Sequence, residues 1–126
     1  MAIKINSTEV IDNSRVLQNI AGANGTYTNF HAAATTITTV INFNTPLMTL
    51  AMSGNVTFSE SNKAAGKTAV LLLDTNTTPH TPTFSANVKW PGSGTAPTWT
   101  NSRYWEISFV CWDSTIVRAA AVGFDA

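Results

Sequence analysis

Seven carboxylates, two histidines and one cysteine are the groups of this 126-residue chain that could do acid–base, nucleophilic or metal chemistry. The acids are Glu9, Asp12, Glu60, Asp74, Glu106, Asp113 and Asp125. Catalysis needs such groups clustered: a base beside a nucleophile, a carboxylate pair, or a metal set. Here they stand singly, several beside turns, where Asp commonly accepts hydrogen bonds from nearby backbone. Two carboxylates on different strands could meet as a glycosidase-like pair, but no spacing in the chain selects one. His31 stands among small and polar residues, and His80 lies in the proline-broken TNTTPHTP. Both read as solvated histidines; the functional alternative is a shared ion on a symmetry axis. Cys111 has no disulfide partner, and one Cys with two distant His is too few for a structural zinc site. Its setting, EISFVCWD, predicts a buried strand thiol rather than an activated nucleophile. The GANG and PGSG glycines precede no helix, so there is no phosphate-cradling loop. No catalytic residue, cofactor or metal is expected.

Aromatic side chains are the remaining candidates, and they concentrate in the last third: Trp90, Trp99, Tyr104, Trp105 and Trp112. Trp90 and Trp105 fall on the apolar phase of their strands and read as core. Tyr104 and Trp112 share the opposite face of one strand. That face suits an interface or a sugar-stacking platform, because Tyr and Trp bury much area at little rotamer cost. Arg118, flanked by alanines, reads as a strand-face arginine pairing with Glu106.

Composition narrows the class. Hydrophobic residues make up 44% of the chain, near the globular norm, but charged residues only 11%, less than half the usual share. Thr and Asn take up the difference. Thr fits a pleated surface and Asn suits turns, so the balance favours strands. The formal net charge is zero with the cations scattered, which removes any electrostatic case for nucleic acid or an anionic membrane. So few charges give a lone monomer poor colloidal protection, and an assembled protein tolerates this better. The start carries no signal-peptide pattern, and the longest apolar run, AVLLL, is too short to span a bilayer. Synthesis in a cytoplasm without membrane insertion is expected. The Asn-x-Ser/Thr triplets at Asn6, Asn24, Asn55 and Asn76 then reflect composition alone.

The elements that must position these residues are strands. Alternation marks Ile37–Asn44, Leu47–Ser53, Val56–Ser59, Thr83–Trp90, Tyr104–Trp112 and Thr115–Phe124, with a short strand at Thr98–Thr100. Gly54-Asn55 reads as a hairpin turn. Thr68–Asp74 is apolar on both faces, so it reads as a central strand or one covered by a neighbouring subunit. The expectation is an all-β fold, a jelly-roll-like antiparallel β-sandwich over 35–126, preceded by an N-terminal anchor, stem and linker over 1–34. In Met1–Ile20 apolar residues come in small clusters with no helical period and little core of their own.

That opening phrase carries a resemblance. Val10-Ile11-Asp12-Asn13-Ser14-Arg15-Val16-Leu17-Gln18-Asn19-Ile20, with the Asn24-Gly25-Thr26 turn after it, resembles the start of tailed-phage fibre and appendage proteins. VKWPGSGTAPTWT (Val88–Thr100), followed by an aromatic strand and a final strand, resembles a β-rich module of phage structural proteins. The resemblance implies a non-enzymatic virion protein that is a homotrimer, anchored through its N-terminal segment and carrying a distal β domain. Ile3, Ile5, Val10, Ile11, Leu17 and Ile20 would line a shared stem, each buried side chain contributing about 1.5–3 kcal/mol. The expected function is a short tail fibre. The alternatives are a capsid cement or decoration protein, and a carbohydrate-binding module that uses Tyr104, Trp112 and the loop Thr75–Pro82. Expected partners are further copies of itself, other virion proteins of tail, baseplate or capsid, and a host surface glycan.

Overall fold

The computed structural model describes residues 3–5, 8–11, 33–100 and 102–125. The chain divides into two compact units, Met1–His31 and Ala32–Ala126. In the first, β1 (Ile3–Ile5) and β2 (Thr8–Ile11) pair antiparallel, with Ile5 opposite Thr8 and Lys4 opposite Glu9. The register slips once, between Ile3 and Lys4, which puts Ile3 opposite Ile11. Ile3, Ile5, Val10 and Ile11 of the expected stem thus belong to a strand pair; Leu17, Ile20 and His31 lie outside the described residues.

The second unit contains β3 (Thr35–Thr36), β4 (Val40–Asn42), β5 (Leu47–Ala51), β6 (Val56–Thr57), β7 (Ser59–Ser61), β8 (Thr68–Asp74), β9 (Pro82–Thr83), β10 (Val88–Lys89), β11 (Tyr104–Cys111) and β12 (Val117–Phe124). The fold is all-β, as expected. Its main element is a six-stranded sheet in the order β10-β12-β11-β8-β5-β3. Two small sheets, β4-β7 and β6-β9, accompany it.

The expectation of antiparallel pairing throughout is corrected. The large sheet is mixed: β8-β11-β12 is antiparallel, but β3-β5, β5-β8 and β10-β12 are parallel, as are both small sheets. The reason lies in how the chain winds. Between β3 and β9 it alternates between the large sheet (β3, β5, β8) and the small ones (β4, β6 and β7, β9). Each return to the large sheet therefore runs in the direction of the last, since a parallel neighbour requires a crossover. Gly54-Asn55 is consequently no hairpin but a passage from one sheet to another. Neither residue has the positive φ of a type I′ turn; instead Asn55 accepts the Thr81 N–H at 2.8 Å and ties the passage to the next one.

Two expected strands are shorter than their patterns. Thr83–Trp90 breaks into β9 and β10 around a turn closed by Val88 N–H to the Ser85 carbonyl, and Thr98–Thr100 is not a strand. Conversely, Glu60 and Ser61, beyond the end of the expected strand Val56–Ser59, belong to β7.

Burial in β11 alternates without exception: Trp105, Ile107, Phe109 and Cys111 point inward, while Tyr104, Glu106, Ser108 and Val110 point outward. Ala69, Leu71 and Leu73 of β8, and Val117 and Ala119 of β12, share the inner face. Ile41, Phe43, Met52 and Phe58 complete the same buried cluster. Phe84 is its aromatic hub, with ring centroids of Phe58, Trp90, Trp99 and Phe109 within 5.1–6.1 Å. Trp90, Trp105 and Cys111 are buried, as the sequence predicts, and so is Trp99.

Candidate interaction surface

The second face of the large sheet is the candidate site, because it is apolar and, among the described residues, uncovered. Strand register sorts its residues into rows. The first is Ala51, Asp74, Tyr104 and Phe124; the second Thr49, Leu72, Glu106 and Val122. The third is Leu47, Val70, Ser108 and Ala120; the fourth Thr68, Val110, Arg118 and Lys89. Trp112 follows directly on β11. Residues of this kind on an outer face oppose the usual polar-out alternation of a half-solvated sheet. Trp112 is 62% exposed, Val122 59%, Phe124 49%, and Leu72 and Tyr104 40%. Between the first two rows lies a groove of about 480 Å³ lined by Leu72, Tyr104 and Phe124, with Asp74 and Glu106 at its margins.

One end of the face is rigidly built. The Arg103 guanidinium forks onto Asp74, Nε to Oδ1 at 3.0 Å and Nη2 to Oδ2 at 3.3 Å. The Asn76 N–H donates to the same Oδ1 at 2.8 Å. The Arg103 hydrogen bond, and behind it the Asn76 N–H, holds the Asp74 carboxyl below the usual carboxylate range against the opposing effect of burial. Arg103 also lies over the Tyr104 ring, 4.8 Å from its centroid. Beneath it Thr75 is fully buried, and its Oγ1 and its backbone N–H both donate to the Arg103 carbonyl at 2.9 Å.

At the other end, Asp113 Oδ1 accepts the N–H groups of Ile116 and Thr115, each at 2.7 Å, and these lower its pKa. This fixes the turn between β11 and β12, and with it Trp112. Arg118 stacks on Trp112, 4.3 Å from the ring centroid.

The expected Arg118–Glu106 pair is not formed. Both residues face outward on adjacent strands, but Arg118 is opposite Val110 and Glu106 opposite Val122. Four positions of register separate them, about 14 Å along the strands. Arg118 spends its charge on the Trp112 ring, and Glu106 takes part in neither ion pair of the described residues. Tyr104 and Trp112 do share one face. They stand eight positions apart, about 27 Å, too far for one sugar ring or disaccharide to bridge. Each ring also carries a guanidinium over one side.

The remaining candidate groups are dispersed. Glu60 accepts from Ser85 Oγ at 2.6 Å and lies 3.9 Å from Lys63. His80 is half-buried in its turn, its backbone N–H on the Thr75 carbonyl at 3.1 Å. Among the described residues no three His, Cys, Asp or Glu are placed to hold a metal ion. None of them forms a helix long and apolar enough to cross a membrane.

Sequence reasoning picked out Tyr104 and Trp112 from this face but not Leu72, Val122 or Phe124. The signal was present: β8 is apolar on both faces, and β12 places Val122 and Phe124 in phase with Arg118. Comparison of the chain with protein-family models, with curated protein sequences and with solved structures gives no match.

Proposed function

We propose that this chain is a non-enzymatic structural protein of a phage virion: a short homotrimeric tail fibre, docked through its N-terminal segment and presenting its second unit as a jelly-roll-like sandwich. One observation carries the reading. The second unit buries its core on one face of the large sheet and leaves a second apolar face open, which suits a protein whose job is to be assembled. The state of the acids supports a non-catalytic role. Asp74, Asp113 and Glu60 are each engaged by local partners, so their chemistry is spent on holding turns and strands. In this reading Ile3, Ile5, Val10, Ile11, Leu17 and Ile20 form the subunit-shared stem.

The test is made on particles. Phage lacking residues 1–20 of this protein should assemble virions without it, while the truncated chain accumulates in the lysate. Incorporation of the truncated chain at the normal level rejects the anchor, and absence of the intact chain from purified virions rejects the reading altogether. The breadth of the apolar face, four strands across, favours a second reading, a cement protein lying on the capsid. That reading expects virions lacking the protein to lose heat resistance while adsorption stays normal; the fibre reading expects the reverse.

A further inference from the structure

The outer face of the large sheet carries opposite charges in two separate places. Glu106 stands beside the groove, in the middle of the sheet. Arg118 and Lys89 lie opposite one another on β12 and β10, at the sheet's edge, two rows further along. The internal register holds Glu106 and Arg118 too far apart to pair: Glu106 stands between Leu72 and Val122, and Arg118 between Val110 and Lys89, whose ammonium donates to the Ala86 carbonyl at 2.6 Å. A charge left beside apolar surface is costly to cover unless the covering surface brings its counter-charge. This chain presents both halves of that pair, on surfaces that cannot meet within one copy.

We propose that the face is covered by a second copy of the chain, packed head to tail, with the Arg118–Lys89 edge of one copy seated over the Glu106 groove of the next. The inference rests on the self-association in the proposed function and names the surface that makes it. The three-fold order of the proposed function makes this contact heterologous; a two-fold pair would match the same residues reciprocally, and the mass in solution tells the two apart. A ring of three also avoids gathering like charges: each Glu106 meets a neighbour's Arg118 rather than another Glu106. The end strands cooperate. β10 and β3 are only two residues long, which leaves little free ladder for strand addition, so contact must be made through side chains on the face. From β5 to β12 the face measures about 20 by 25 Å, roughly 500 Å² in plan. That plan area is somewhat below the ~800 Å² per partner that a specific interface commonly buries, before the relief of the side chains is added.

The experiment uses the purified full-length chain and reads mass by light scattering after size exclusion. The wild type is expected at three times its 13.5 kDa. Glu106→Arg and Arg118→Glu should each raise the concentration of half-dissociation about tenfold or more. The double variant Glu106→Arg/Arg118→Glu should assemble more tightly than either single variant, because the principal charges are exchanged within the same contact while Lys89 stays positive. Near-UV circular dichroism of each variant separates loss of assembly from loss of fold. Glu106→Gln, which keeps the side-chain shape, should weaken assembly in the same direction. A monomeric or dimeric wild type, a single charge reversal that keeps the full mass, or a folded double variant that assembles no more tightly than the single variants would each overturn the proposal. These outcomes concern purified protein alone. They are distinguishable from failure of the virion reading, in which the chain is missing from particles whatever its mass in solution.

Discussion

Gly123 faces Trp105 across the β11–β12 ladder, and Ser102 closes the space where a Gly123 side chain would stand. The Trp105 indole N–H donates to the Ser102 carbonyl at 3.0 Å, which pins ring and loop together. A methyl group at Gly123 would lie 2.5 Å from Ser102 Oγ, 2.6 Å from Ser102 Cβ and 3.0 Å from Trp105 Cη2. Only hydrogen fits there. Gly123→Ala is therefore expected to cost about 1–3 kcal/mol, the range for overpacking a filled site. Denaturant melts would measure it. Ser102→Gly removes both of the nearest atoms, so the pair Gly123→Ala/Ser102→Gly should recover part of the loss, as coupled neighbours do. Strict additivity of the two changes would contradict the contact.

Phe58 supplies the second test. It falls between β6 and β7, is fully buried, and stacks on Phe84 at 5.1 Å. The Phe58 N–H bonds the Thr83 carbonyl, and the next residue, Ser59, bonds the Thr39 carbonyl. This short run thus links the two small sheets while its ring reaches the core. Phe58→Ala should cost about 3–5 kcal/mol, as removal of a buried phenylalanine commonly does. It should also weaken the near-UV signal of the aromatic cluster. A loss below 1 kcal/mol would mean that the small sheets are not packed on this core.

How legible was this in the sequence? Where burial follows a period of two on a long strand, it could be read directly. Trp105, Ile107, Phe109 and Cys111 are inward on β11 because each step of the pleat reverses the side chain. Pairing could not be read the same way. Alternation tells which face a residue takes but not which strand lies beside it, so parallel crossovers and antiparallel hairpins look alike. Gly54-Asn55 carries hairpin chemistry yet serves a crossover. Trp99 sits in a turn, outside any strand period, and is buried by contact with Trp105, ring centroids 4.7 Å apart. The open face was half legible. Tyr104 and Trp112 stood out by type, whereas the separation of Glu106 from Arg118 depends on the β11–β12 register, which is set by the Asp113 turn.

The ion pair at Asp74 gives a pH prediction with a definite sign. Its carboxyl is held below the ordinary value by Arg103 and by the Asn76 N–H, so the folded state favours the charged form. That contribution is complete above the unfolded pKa of about 3.9 and is lost as pH falls through the lower, folded pKa. Asp74→Asn should therefore lower Tm at pH 7, and the gap to wild type should close as pH is brought to about 3 and below. Melting curves across that range decide it. A gap that stays constant or widens toward acid would show that Asp74 acts through something other than its charge.

Trp112 offers an optical test of the open face. The chain has four tryptophans, and Trp90, Trp99 and Trp105 are buried while Trp112 is 62% exposed. Its indole is held by Arg118 on one side only, and a cation–π contact at an exposed site contributes about 0.5–1 kcal/mol. Trp112→Phe should therefore leave the melting temperature nearly unchanged while removing the most solvent-exposed emission from the spectrum. The difference between wild-type and Trp112→Phe spectra isolates Trp112. Under head-to-tail packing its neighbour Arg118 sits at the contact, so this difference spectrum should shift to the blue as concentration rises through assembly. In Arg118→Glu it should stay red at every concentration where the protein remains dissociated. A Trp112 emission that is independent of concentration across the change in mass would place the contact elsewhere on the molecule.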